Sequence, residues 1–157
     1  MISKERLLEI SKEPNVSAFL KAIRLGEGTT KESGYMTIVG GGKFTDFKWH
    51  PKIRVWIPMY RLYSTAAGAY QIISPTWQVL ASKYKFPDFS PDWQDAAAVA
   101  LIIEKGALDE IRKGELAKAV GLCSPVWASL PGSKAGQRQE TFLAVQQVYK
   151  ANGGTLV

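Results

Sequence analysis

The chain of 157 residues has one cysteine, Cys123, and one histidine, His50. A lone cysteine forms no internal disulfide, and the pair falls short of the about four N or S ligands that a structural zinc site needs. A Cys–His nucleophile would require the two to meet in space. Cys123 stands before Ser124-Pro125 at an expected helix start and reads better as a packed, small apolar residue. No apolar run exceeds the eight residues 96–103, whereas a helix needs about 20 to cross a bilayer, so no stable membrane insertion is expected. The first nine residues are rich in charge and lack the apolar centre of a signal peptide, so the chain is expected to stay in the cytosol that makes it. Disorder is excluded as well, with 46% of residues apolar and 22% charged. One domain over residues 1–157 is expected, large enough to bury a sizeable core.

What is present begins with charge. Twenty basic against fourteen acidic residues give a net charge of +6. That balance favours anionic partners such as nucleic acid, phospholipid head groups or an acidic wall polymer. The cations include no run of five or six and read as thinly spread.

Residues 2–10 place Ile2, Leu7, Leu8 and Ile10 among Lys and Glu, a short amphipathic helix over residues 1–14 ending at Pro14. Asn15 can cap a second helix whose apolar stripe is Val16, Phe19, Leu20 and Ile23, with Lys21 and Arg24 outside it. Gly26 and Gly28 end that helix and hold Glu27 between them. Short β-like stretches follow at 36–39, 43–47 and 52–57. Ser74-Pro75 and Ser90-Pro91-Asp92 then open two helices, the second carrying the apolar 96–103 segment and so expected at the centre. A last helix is expected over 139–151. The pattern predicts an α+β fold, a small β-lobe inserted in a mainly helical domain.

Glu27 is the leading candidate for chemistry. At a helix C-terminus the macrodipole is negative, so a carboxyl there holds its proton above the reference pKa of about 4.3, and an apolar cleft wall would push the same way. The flanking glycines let a large substrate approach, which suits a general acid. Asp46 lies 19 residues downstream. One protonated and one ionised carboxyl are the usual kit for glycoside cleavage, although Asp is also a common turn former. Gly40-Gly41-Gly42-Lys43 fails the phosphate-loop spacing, because Phe44 follows where Ser or Thr is required. The loop aromatics Tyr35, Trp49, Trp56, Tyr60, Tyr63, Tyr70 and Trp127 can stack on sugar rings or nucleobases, and most are expected in the core. Arg54, Arg61 and Lys52 interleave with them too weakly for a nucleic-acid site.

A set of ordered motifs carries a resemblance: Glu27-Gly28-Thr29, Gly34-Tyr35, Phe44-Thr45-Asp46, His50-Pro51, Tyr70-Gln71, Gln94-Asp95-Ala96, 127–132 (Trp-Ala-Ser-Leu-Pro-Gly) and Gly153-Gly154-Thr155. From Ala18 onward the chain resembles the phage lambda endolysin family of lysozyme-like lytic transglycosylases. The resemblance implies a two-lobed lysozyme-like fold and cleavage of the β-1,4 bond between N-acetylmuramic acid and N-acetylglucosamine in peptidoglycan. Its single catalytic Glu falls on Glu27, which would protonate the glycosidic oxygen and then accept the proton of the muramic acid 6-hydroxyl, giving a 1,6-anhydro sugar. Hydrolysis with Asp46 as second carboxylate, and a non-catalytic wall-binding module, are the alternatives.

Tyr35, Tyr70 and Gln71 resemble cleft residues, with Trp127, Ser129 and Gln137 on the opposite wall; no metal and no cofactor are implied. The implied partners are peptidoglycan strands and a holin-type membrane pore, with a monomeric protein waiting in the host cytoplasm before it reaches the periplasmic wall. Two positions depart from the family. Met36 stands where an acid follows Gly-Tyr, and Ala69 where a base precedes Tyr-Gln. The simplest expectation is that this pair was lost together.

Overall fold

The helix Pro91–Glu104 is buried on nearly every side, and the other elements are arranged around it. We describe it from a computed structural model covering residues 1–133 and 138–157. Ser90 takes the N-cap position, Pro91 opens the first turn and Asp92 places a negative charge at the positive end of the macrodipole. Ala96, Ala97, Ala98, Val99 and Ile102 have no exposed surface. Small side chains on most faces let neighbours approach from several directions, which is why one helix can serve as the hub.

Numbered along the chain, the helices are α1 (Lys4–Ser11), α2 (Pro14–Glu27), α3 (Ser74–Tyr84), α4 (Pro91–Glu104), α5 (Leu108–Lys113), α6 (Leu116–Cys123) and α7 (Phe142–Ala151). Between α2 and α3 lie a 3-10 turn, Glu32–Met36, and an antiparallel hairpin of β1 (Val55–Ile57) and β2 (Leu62–Ser64). The helix α1 is capped by Ser3, whose hydroxyl accepts the Arg6 N–H, and it packs Leu7 and Ile10 onto α4 as part of the common core. Helix α2 packs on α5 and α7.

Several expectations are corrected. Asn15 does not cap α2: Glu13 holds the cap position, Pro14 is the first helical residue, and Asn15 lies inside the helix. Its amide instead links α2 to α5 and the C-terminal segment, donating to the Ile111 carbonyl (3.1 Å) and accepting from the Thr155 backbone N–H (3.0 Å). Stretches 36–39 and 43–47 do not form strands. Thr37 and Lys43 make an isolated bridge around a glycine turn in which Gly40 and Gly41 have φ of 88° and 96°. Three consecutive glycines supply no side chains for cross-strand pairing, so the ladder does not extend. The strand expected at 52–57 shortens to β1, and its partner β2 was not foreseen. The last helix begins at Phe142, where the Thr141 hydroxyl accepts the Ala144 N–H, and not at 139. Cys123 ends α6 and does not begin a helix; it is fully buried, and burial pushes its thiol up to about 12.

Candidate active site

Helix α2 delivers Glu27 at its last turn. Gly28 takes the left-handed conformation (φ 70°), and its N–H closes on the carbonyls of Arg24 and Leu25. Gly26 is needed for a different reason: a Cβ there would stand 2.8 Å from Cβ of Ser129, so only glycine lets that segment seat against the helix end. Glu27 is half-buried, and its carboxyl is raised from an ordinary 4.5 to about 7. Burial is the main cause, disfavouring the charged form, and the Ser129 hydroxyl pulls the other way. Among the described residues the buried Ser129 Oγ meets no partner in good hydrogen-bond geometry, and it acts on the Glu27 carboxyl as a loosely aligned donor beside it.

Glu27 lines a groove of about 820 Å³ between the two lobes. Gly26, Val126, Ala128, Ser129 and Glu140 line it from the helical lobe; Ile57, Met59, Tyr60 and Leu62 of the hairpin line it from the β-lobe, with Gln71 between. A second depression of about 470 Å³ shares Gln71, Ile73 and Val126 with the first, so the two run on as one trough. A long trough whose apolar walls are interrupted by Gln71, Ser129, Arg138 and Glu140 suits an extended polymer and not a compact metabolite.

Of the residues singled out in the sequence, Glu27, Gln71 and Ser129 line the groove itself. Gln71 has a positive φ of 49°, and its Nε2 donates to the carbonyls of Thr37 (3.1 Å) and Gly68 (2.9 Å). This strained backbone at a cleft residue is held in place by those bonds. Tyr70 and Trp127 border the second depression but are only 2% exposed each, and the Trp127 indole N–H donates to the Tyr70 carbonyl (3.0 Å). They hold the floor more than they present a stacking face. Asp46 does not join Glu27. It is exposed in a separate depression with Trp49 and Lys43, and its Oδ1 accepts the Lys48 N–H (2.8 Å) as a turn former. Gln137 lies outside the described residues.

Behind Tyr70 is a half-buried polar cluster that sequence reasoning did not assemble. The Tyr70 and Tyr35 hydroxyls both donate to Asp95 Oδ1, at 2.6 Å and 2.9 Å. Burial raises Asp95 above the usual carboxylate range, the two phenols oppose it, and Tyr35 is itself raised to about 12, chiefly by burial. Arg24, expected outside the apolar stripe, is instead 7% exposed. It donates to the carbonyls of Thr29 (2.8 Å) and Lys31 (2.6 Å) and lies 4.5 Å from the centre of the Tyr35 ring. Ala69 is fully buried, its N–H donating to Gln94 Oε1 (2.9 Å). The Arg24 guanidinium, which comes from α2, also helps hold the Asp95 carboxyl down. Polar residues beside an otherwise apolar α4, Gln94 and Asp95, were the available signal.

A two-lobed α+β fold, an interlobe trough and one half-buried carboxyl that keeps its proton near neutral pH define a lysozyme-like enzyme. Comparison with known proteins agrees. A family model described as Endolysin matches residues 17–156. The endolysin of Escherichia phage lambda is 40% identical over 145 residues, covering 88% of this chain and 91% of the relative. That of Escherichia phage P2 is 39% identical over 160 residues, covering 92% and 96%. The structure of bacteriophage lambda lysozyme complexed with a chitohexasaccharide superimposes with a TM-score of 0.87 at 38% identity, covering 92% of this chain and 97% of that one. Another structure of the lambda lysozyme gives 0.81 at 36% identity, covering 92% and 97%. The chain belongs to the endolysin family, enzymes that cleave peptidoglycan.

Proposed function

We propose that the enzyme is a lytic transglycosylase that cuts the β-1,4 bond between N-acetylmuramic acid and N-acetylglucosamine and leaves a 1,6-anhydromuramyl end. The observation that carries this is the composition of the trough. Among its described residues, the β-lobe wall that faces Glu27 holds no carboxylate. Hydrolytic glycosidases of the two-carboxylate kind place a second acid across the bond, about 5–9.5 Å from the first. Asp46, the candidate for that role, lies elsewhere. Glu140 lines the trough from the same lobe as Glu27, beside Arg138 (3.9 Å), with its N–H on the Ser129 carbonyl (2.8 Å).

Glu27 then serves twice. Its proton passes to the glycosidic oxygen as the C1–O bond breaks, and its carboxylate takes the proton of the muramic 6-hydroxyl as O6 bonds to C1. Glu27 ends protonated, ready for the next bond, and no water is consumed. A pKa near 7 suits both halves, since the group must give and receive a proton at similar cost. The chitohexasaccharide bound by the lambda lysozyme supports an N-acetylated glycan in the trough. Gln71, with Nε2 engaged inside the protein, offers its carbonyl oxygen to such a glycan. Tyr35, Tyr70 and Trp127 position the floor, and Gln137 would extend the far wall. In this reading residues 1–157 work as one monomeric catalytic unit, held in the host cytoplasm until a holin-type pore admits it to the periplasmic wall.

The direct test compares Glu27→Gln, Glu140→Gln and Asp46→Asn on purified cell walls. Glu27→Gln should abolish clearing yet still sediment with walls, while the other two keep clearing. Loss of clearing in Glu140→Gln or Asp46→Asn would favour a two-carboxylate hydrolase, and full clearing by Glu27→Gln would remove Glu27 from the mechanism.

A further inference from the structure

The net charge is not spread along the chain. Between Asp46 and Asp88 there is no acidic residue, and that stretch holds six cations, Lys48, Lys52, Arg54, Arg61, Lys83 and Lys85. The rest of the chain carries fourteen charges of each sign, so the whole +6 belongs to this one segment. All six are exposed, and none forms an ion pair among the described residues.

The same segment holds most of the exposed apolar bulk. Nine of the thirteen large hydrophobic side chains exposed among the described residues fall within it. Of the seven loop aromatics expected mainly in the core, Trp49, Trp56, Tyr60 and Tyr63 are exposed. Hairpin register separates two faces. Ile57 and Leu62 are paired and line the trough, so the adjacent pair Trp56 and Tyr63 points away from it. On that outer face the Trp56 and Tyr63 rings meet edge to face at 5.0 Å, and the Arg54 guanidinium lies 4.3 Å from the Tyr63 ring centre. Lys48, Trp49 and Lys52 line one neighbouring depression, and Trp49 with Ile53 another.

We propose that this outer face of the β-lobe docks on an anionic phospholipid membrane. Tryptophan and tyrosine rings with interleaved Lys and Arg are the composition that settles at a charged lipid interface, rings at head-group depth and cations on the phosphates. An exposed aliphatic side chain decides between lipid and the other anionic polymers. Ile53, which lies off the trough, is 41% exposed; a glycan or a nucleic acid stacks on flat rings but has no use for a bare aliphatic chain, whereas a lipid interface accepts both. The binding is peripheral: among the described residues no helix is long and apolar enough to cross a membrane.

The test is flotation of the full chain with vesicles of phosphatidylcholine alone and of phosphatidylcholine mixed with phosphatidylglycerol. The chain should float with the anionic vesicles, stay behind with the neutral ones, and come off when salt screens the cations. Each cation removed should lower partitioning about fivefold, so Lys48→Gln with Lys52→Gln and Arg54→Gln should lower it about a hundredfold. Trp56→Ser should weaken it at unchanged charge. All four positions lie outside the trough, so wall clearing should persist, which shows that the variants fold. No flotation with anionic vesicles, or flotation that the triple substitution leaves intact, would overturn the proposal. So would loss of wall sedimentation in the triple variant without any vesicle binding, which would reassign the face to the wall polymer.

Discussion

Glu27 has a cost as well as a use. Its folded pKa of about 7 lies above the ordinary 4.5, so between those values the folded chain binds more protons than the unfolded one. Stability from this group is full below about pH 4.5, declines as pH rises, and is lost by about pH 7, a difference of about 3 kcal/mol. Glu27→Gln should therefore melt several degrees above the parent at pH 8, with the gap closing near pH 4.5; calorimetry across that range checks it. On the proposed mechanism the same carboxyl sets the alkaline limb of activity. Cleavage should fall about tenfold per unit above pH 7 as the acid form is lost. Ser129→Ala removes the dipole that holds the carboxyl down, so it should move that limb to higher pH without abolishing turnover. An unmoved limb would mean the hydroxyl serves packing alone. Met36 packs partly against the core, and with Arg24 already supplying charge to the Tyr35–Tyr70–Asp95 cluster, Met36→Asp alone should leave turnover unchanged in a steady-state assay.

At the level of elements, what could be read from the sequence were units with local signals. The serine–proline start of α4, the glycine stop after Glu27 and the buried run in α4 all follow from residues a few positions apart, whereas Ser74, expected to cap α3, is its first helical residue and Ile73 holds the cap position. The hairpin did not, because its register depends on pairing Trp56 with Tyr63 across a turn that carries no Asn-Gly or Asp-Gly signature. Arg24 was misplaced for a related reason: a polar residue beside an apolar stripe looks exposed until distant carbonyls, at Thr29 and Lys31, are seen to receive it. Asp46 looked catalytic because spacing along a chain says nothing about which depression a side chain enters. Two element-scale outcomes follow. Gly26→Ala forces a methyl against Ser129 and should cost about 1–3 kcal/mol of stability, with a larger loss of clearing because the wall carrying Ser129 shifts. Deleting residues 1–12 uncovers α4 where Leu7 and Ile10 now lie. It should lower the melting temperature while leaving the pH limb of Glu27 in place, since α1 does not line the trough.

Across the whole molecule, the two lobes divide the work. Fourteen charges of each sign fall outside the central segment, while residues 47–87, from the β-lobe through α3, hold the entire net charge and most of the exposed large hydrophobic side chains among the described residues. The trough runs between the lobes, so the carboxyl comes from the helical side and the hairpin closes the other. The proposed chemistry rests on Glu27 acting without a partner across the bond. The measurement that tests this most directly is mass spectrometry of the fragments released from purified peptidoglycan, with and without borohydride reduction. Fragments lighter by one water and unchanged by borohydride, the mark of 1,6-anhydromuramyl ends, are the expected result; reducible muramic acid ends would contradict the account and require a positioned water and a second acid.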